Sequence, residues 1–165
     1  MQVPATAIVA GLQHCHGMYG RMAVKRGQDG VVLIDDTYNA SPQSMRVALQ
    51  CLAQTHVTGR RLVVLGDMLE LGDQAQPLHA EVGRLVAQSG VQQLMTFGPL
   101  AQYIAQGAQH AGMAAACIHV TTHPEEAVSR LRALLRPGDV LLLKGSRGMA
   151  MERLVDALAE QQGGG

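Results

Sequence analysis

Five short apolar runs punctuate the chain: Val31-Val32-Leu33-Ile34, Leu62-Val63-Val64-Leu65, Leu94-Met95-Thr96-Phe97, Cys117-Ile118-His119-Val120 and Val140-Leu141-Leu142-Leu143. They are continuous rather than alternating with polar positions, as expected of strands covered on both faces. Between them, apolar positions recur at helical spacing: Met45, Ala48, Leu49 and Leu52, then Leu78, Val82, Leu85 and Val86, then Leu100, Ile104 and Ala108, then Ala127, Val128, Leu131 and Leu135. A last stripe of Met151, Leu154, Val155 and Leu158 follows the fifth run. Strands alternating with amphipathic helices predict βα units on a parallel sheet.

Local signals place the boundaries. Ser41 caps the first helix with Pro42 at its first position, and Gly59 lies beyond its stop. Asp73 is the expected cap of the second helix, which ends at Gly90, where a left-handed residue is tolerated. Pro99 and Pro124 open the next two, and Pro137-Gly138-Asp139 turns the chain into its last strand. Residues 21–25 form a further expected strand, joined to the first run through Gly27-Gln28-Asp29-Gly30 as a hairpin. The predicted fold is a Rossmann-like, three-layer αβα domain of about six strands, mostly parallel with one antiparallel edge strand. That domain is expected over residues 20–160. Residues 1–19 read instead as a short alanine-rich helix and an irregular linker, the remnant of a preceding unit, and residues 161–165 as a disordered tail.

Composition narrows the function. Lys plus Arg (13) balance Asp plus Glu (13), so no global field exists for gripping nucleic acid or an anionic membrane. Charged residues are 16% and hydrophobic ones 47%, which predicts a compact globule rather than a disordered chain. Aromatics at 2% are too few for a base-stacking surface. The apolar runs are too short to span a bilayer, and the N-terminus has no basic segment followed by an apolar one. Cys15, Cys51 and Cys117 are widely spaced without a CxxC, so neither a disulfide framework nor a zinc site is indicated, and a reducing cytoplasm is the expected location. His14, Cys15 and His16 are adjacent and cannot all face one ion, so no metal site is expected. His79 and His56 are expected in helices, as surface or satisfied core residues.

In an open parallel sheet, ligands bind beyond the carboxyl ends of the strands. Polar and ionisable groups concentrate there: Asp35-Asp36-Thr37-Tyr38-Asn39-Ala40-Ser41-Pro42 after the first run, Gly66-Asp67-Met68-Leu69-Glu70-Leu71-Gly72 after the second, and Lys144-Gly145-Ser146-Arg147-Gly148 after the last. In extended backbone Asp35 and Asp36 point to opposite faces, so only one can enter a crevice, to meet a metal, a ribose hydroxyl or a cationic amine. Two cations and two glycines before a helix suit a phosphate or carboxylate. No GxxxxGK[ST] occurs, so the chain carries no standard triphosphate cradle. Asp35, Asp36, Asp67, Thr96 and Lys144 also superficially match the acidic pair, phosphoacceptor, Thr and Lys of a phosphoreceiver domain. Their strand order differs from that family. A non-catalytic phosphate- or nucleotide-responsive module is therefore the alternative reading.

Taken as strings, the three loops, with Met151-Glu152 following, resemble the C-terminal domain of the Mur ligases, in the branch that adds D-alanyl-D-alanine. The resemblance runs from about Gly20 to Leu158, and the leading segment is similar to the last helix of that family's central ATPase domain. It implies ATP-dependent amide formation in peptidoglycan precursor synthesis. The carboxylate of a UDP-N-acetylmuramoyl-tripeptide is activated as an acyl phosphate, which the amine of D-Ala-D-Ala attacks. By resemblance, Arg21, Asp36 and Asn39 contact ATP, while Thr37, Tyr38, Lys144, Ser146 and Arg147 contact substrate, Arg147 as a carboxylate clamp. ATP and Mg2+ would be held mainly by upstream domains, the Mg2+ ligands lying outside this chain. No catalytic residue is expected within the chain, which should be inert alone and monomeric.

Overall fold

The protein is described by a computed structural model over residues 22–160. The expected remnant at 1–19, the nucleotide contact expected at Arg21 and the tail at 161–165 lie outside the described residues. Six strands, β1 (Ala23–Arg26), β2 (Val32–Asp36), β3 (Arg61–Gly66), β4 (Gln93–Phe97), β5 (Ile118–Thr121) and β6 (Val140–Lys144), form one sheet in the order β1-β2-β6-β3-β4-β5. Among these six strands β1 runs antiparallel to its neighbour, and the other pairings are parallel.

Five helices cover the sheet: α1 (Pro42–Gln54), α2 (Ala75–Gln88), α3 (Gln102–His110), α4 (Pro124–Leu134) and α5 (Glu152–Leu158). Alternation along the strands decides which helix each residue meets. Ile34, Val63, Leu65, Leu94 and Leu142 pack with α1, α2 and α3, whereas Leu33, Leu62, Val64, Met95, Leu141 and Leu143 pack with α4 and α5. Two buried faces explain the unbroken apolar runs, and the three-layer fold is the one expected.

This division of helices creates the crevice. After β2 and β3 the chain turns to one face, and after β6, which lies between them, it turns to the other. The connections therefore diverge on both sides of β6, and a switch point of this kind opens a cleft at the carboxyl ends of the strands.

Several boundaries follow from local chemistry. Ser41 Oγ accepts from the Ser44 N–H at 3.2 Å and Ser44 Oγ accepts from the Ser41 N–H at 2.9 Å, a reciprocal capping box with Pro42 behind it. Asp73, in contrast, does not cap α2. It lies in a 3-10 turn (Gly72–Gln74), so the α-helix starts at Ala75 without a side-chain cap. Gly59 lies beyond the end of α1 at Gln54 and packs its backbone against Gly138, donating its N–H to Gly138 O at 3.0 Å. Helices α2 and α3 cross at Gly83 and Gly107, where a Cβ on either would run into the backbone of the other helix. Cys117 is a free thiol, but Cys51 is disulfide-bonded, contrary to the expectation from cysteine spacing, which records separation along the chain and not in space.

Candidate functional site

The three motif loops meet at the carboxyl ends of β2, β6 and β3. Their meeting point is Lys144, the last residue of β6 and 1% exposed. Its Nζ donates to Asp36 Oδ2 at 2.7 Å and to the Asn39 carbonyl at 2.9 Å, stitching β6 to the loop after β2. Asp36 is itself 4% exposed. Burial pushes its carboxyl above the ordinary value, with the Lys144 ammonium opposing that push. Removing two charges from water costs more than replacing them with apolar groups of similar size, so this pair is better suited to fixing a geometry than to raising stability.

The loop after β3 is bonded as closely. Asp67 is buried, and its Oδ1 accepts the Ala101 N–H at 2.7 Å, so a side chain on β3's loop satisfies the start of α3. The Asp67 carbonyl accepts the Ser146 N–H at 3.0 Å, and Ser146 Oγ accepts the Leu69 N–H at 2.9 Å. The Met68 N–H donates to His79 Nε2 at 2.9 Å, while His79 Nδ1 lies 2.6 Å from the Ala75 carbonyl. An accepting Nε2 and a carbonyl opposite Nδ1 assign the proton to Nδ1 and make the ring neutral. Beneath these loops the Met151 side chain occupies space that a Cβ on Gly66 or Gly145 would fill.

The exposed rim is built by other residues. Tyr38 is 50% exposed, with the Arg147 guanidinium 5.4 Å from its ring centroid, within cation–π range. Asn39 is exposed and uses its Oδ1 on the neighbouring Ala40 N–H at 2.8 Å. Thr37 turns inward, donating its hydroxyl to Asp35 Oδ1 at 2.7 Å. Asp35 Oδ2 pairs with Lys25 at 2.8 Å. Burial acts to raise the Asp35 carboxyl, but the Lys25 ammonium and the Thr37 donors outweigh it and hold the group below its ordinary value. Lys25, Asp35, Thr37, Tyr38, Arg147 and Glu152 line a cavity of about 450 Å3 on the α5 side of β2.

Of the residues singled out in the sequence, then, Asp36 and Lys144 are buried and bonded to each other, and Ser146 is buried and bonded to Asp67 and Leu69 of the loop after β3. Thr37 braces Asp35, and Tyr38, Asn39 and Arg147 form the accessible rim. Lys25, Glu152 and His79 were given no role by the sequence reading. Glu152 alone carried a signal, as the acid opening the helix directly after the cationic loop. A receiver-like role needs an accessible phosphoacceptor, and Asp67 is sealed beneath the loop with its carboxylate bonded to the Ala101 N–H.

The three loops rim a crevice at the switch point of this strand order, where ligands of open α/β sheets bind. The chain belongs to the Mur ligase family: residues 20–147 match the domain described as Mur ligase, glutamate ligase domain. Among curated relatives, the UDP-N-acetylmuramoyl-tripeptide--D-alanyl-D-alanine ligase of Escherichia coli K12 is 34% identical over 167 residues, covering 97% of this chain and 34% of that protein. Among solved structures, MurF from Acinetobacter baumannii superposes with a TM-score of 0.75 at 33% identity, covering 88% of this chain and 31% of the other. MurF ligase from Thermotoga maritima, solved in complex with ADP, gives a TM-score of 0.69 at 28% identity, covering 86% and 30%. The chain thus spans about a third of the length of the curated relatives it matches.

Proposed function

We propose that this chain is the C-terminal domain, residues 20–160, of an ATP-dependent ligase that joins D-alanyl-D-alanine to UDP-N-acetylmuramoyl-tripeptide in the cytoplasm. In this reading residues 1–19 belong to the end of a central ATPase domain, and the working partners are that domain and a further N-terminal one, in a monomeric enzyme. The observation that supports it most is the convergence of the three loops on Lys144 and Ser146, which brings the motif residues of β2, β3 and β6 to one cleft.

The fit to a nucleotide is partial. Tyr38 and Asn39 are the accessible groups of the β2 loop and suit the outer edge of a nucleotide held by another domain; Arg21 would reach the phosphates from the entry to this domain. Asp36, bonded to Lys144, serves by holding the loop that carries Tyr38 and Asn39. In this reading Mg2+ is held by upstream domains of the enzyme. ATP supplies the leaving group that makes a carboxylate electrophilic, and the residues of this chain orient the amine that attacks it. Arg147, a planar fork beside the aromatic wall of Tyr38, is the carboxylate clamp for the dipeptide. No helix among the described residues is long and apolar enough to cross a membrane.

The test is phosphate release. The ligase containing this chain should release phosphate from ATP only with both tripeptide and dipeptide present, and Arg147→Gln should raise the KM for D-Ala-D-Ala about tenfold or more, the loss of a charge-assisted bond. The 165-residue chain alone should show no turnover. Turnover by the isolated chain, or dipeptide-independent activity in the whole enzyme, would refute the assignment.

A further inference from the structure

His79 is a buried titratable side chain that the proposed function leaves unused. It is 0% exposed on α2, and both ring nitrogens are spent: Nδ1–H donates to the Ala75 carbonyl at 2.6 Å and Nε2 accepts the Met68 N–H at 2.9 Å. A neutral imidazole suits this place because it carries one donor and one acceptor on a rigid ring. The donor is spent one turn back on its own helix, which fixes the ring. The acceptor is left for the loop after β3.

The helix that carries His79 is itself held firmly. Gly83, four residues on and therefore on the same face, is where α2 meets Gly107 of α3, and a Cβ on either glycine would run into the backbone of the other helix. The loop hangs from this post by consecutive amides. Met68 N–H goes to His79, and Leu69 N–H goes to Ser146 Oγ at 2.9 Å, while the Asp67 carbonyl receives the Ser146 N–H at 3.0 Å. Immediately beyond them Glu70 has φ 64, a left-handed conformation that a residue with a Cβ keeps only where its surroundings enforce it. Asp67, Met68 and Leu69 thus link α2 on one side to Ser146 on the other, and Ser146 opens the 3-10 turn Arg147–Met149.

We propose that His79 is a positioning residue of the ligase. By holding the Met68 N–H it sets the loop after β3 and, through Asp67 and Leu69, the Ser146–Arg147 turn on the far side of that loop. In taking Arg147 as a group whose position matters to the dipeptide, this rests on the proposed function. Without the ring's acceptor the Met68 N–H is buried and unpaired, a loss that favours any shift of the loop towards another partner, and the two Ser146 bonds shift with it. A displacement of about 1 Å at a reacting group can cost about 10²-fold in rate, so a small loop movement suffices.

Amide hydrogen exchange on the whole chain and kinetics of the ligase containing it test this together. In the wild-type chain, nitrogen-15 shifts of the His79 ring should show Nδ1 protonated and Nε2 bare; a proton on Nε2 would overturn the proposal without any variant. His79→Leu should lower the protection of the Met68 and Ser146 amides by about tenfold or more relative to the amides of β4 and β6, the cost of one buried bond. In the ligase it should raise the KM for D-Ala-D-Ala about tenfold and leave the KM for ATP unchanged. A residue that only stabilised the domain would reduce the folded fraction, lowering kcat alone and leaving Ser146 as protected as the strands. His79→Gln, which can return an acceptor to the Nε2 position, should recover both the protection and the KM; a Gln variant as defective as His79→Leu would assign the effect to ring bulk and sink the inference. If Ser146 keeps its protection in His79→Leu, or the dipeptide KM does not move, the inference fails and the ligase reading stands. If exchange behaves as expected but wild-type turnover does not depend on the dipeptide, the ligase reading fails and His79 remains the residue that places the turn.

Discussion

Two acid–base pairs, one at each end of the sheet, use the same chemistry for opposite ends. At the amino end of β6, Asp139 accepts the Arg60 N–H at 2.9 Å, Arg60 side-chain donors at 2.6 and 3.2 Å, and the Arg136 N–H at 2.9 Å. At the carboxyl end, Asp36 receives Lys144 Nζ alone among side-chain donors. Burial acts to raise both carboxyls, but Arg60 and the two backbone donors hold Asp139 below its ordinary value, whereas Asp36 stays above it. The number of donors decides the sign. The amino-end pair is a clasp that closes the turn from α4 into β6 and stabilises the fold. The carboxyl-end pair is sunk where charge is costly, and its return is the position of the Tyr38–Asn39 loop.

The largest effect should come from breaking the costly pair on one side only. Lys144→Met leaves Asp36 buried without its partner and should lower unfolding free energy in urea by about 3–5 kcal/mol. The double variant Asp36→Leu with Lys144→Met should recover most of that loss, while the parent ligase keeps its defect in turnover. A double variant as unstable as the single one would make the pair a stabiliser after all and erase the contrast. Asp139→Asn comes next: it weakens several bonds without removing the acceptor and should cost about 2 kcal/mol in the same titration.

The smallest effect separates the two by pH. Because the folded value of Asp139 is depressed, its contribution to stability is present above the unfolded carboxylate value and lost as pH falls through the folded one. Asp36, raised, behaves oppositely: its contribution is present below the unfolded value and lost as pH rises through the folded one. Carboxyl chemical shifts followed by NMR during acidification should show Asp36 protonating before Asp139. Coincident midpoints, or the reverse order, would show that the donor count does not set the difference.

What the sequence made legible was whatever neighbouring residues decide. Ser41 with Pro42, Pro124, and Gly90 at φ +76 mark boundaries through chemistry within one turn, and the strands announce themselves by apolar continuity over a few residues. Even the parity of Asp35 and Asp36 held, since they lie on opposite faces of β2, though the structure bonds one to Lys25 and the other to Lys144. The connectors were not legible. Lys144 and Asp36 are 108 residues apart, Arg60 and Asp139 are 79, and Asp67 satisfies an N–H 34 residues on. Nothing local to either partner announces such a bond. His79, expected in a helix as a surface or satisfied core residue, is fully buried there, yet its work, holding the Met68 N–H, depends on a loop that precedes its helix. Asp73 failed as a cap because the 3-10 turn around it moved the helix start beyond its reach.

The strand made last is the one at the middle. Because β6 lies between β2 and β3, a ribosome that has produced everything up to Arg136 has released two half-sheets whose inner edges face each other with no strand between them. Unpaired edges of that kind recruit other chains. A premature stop in the closing segment therefore removes the keystone and not a fringe, and leaves one chain with two unjoined, sticky half-sheets in place of a shortened domain.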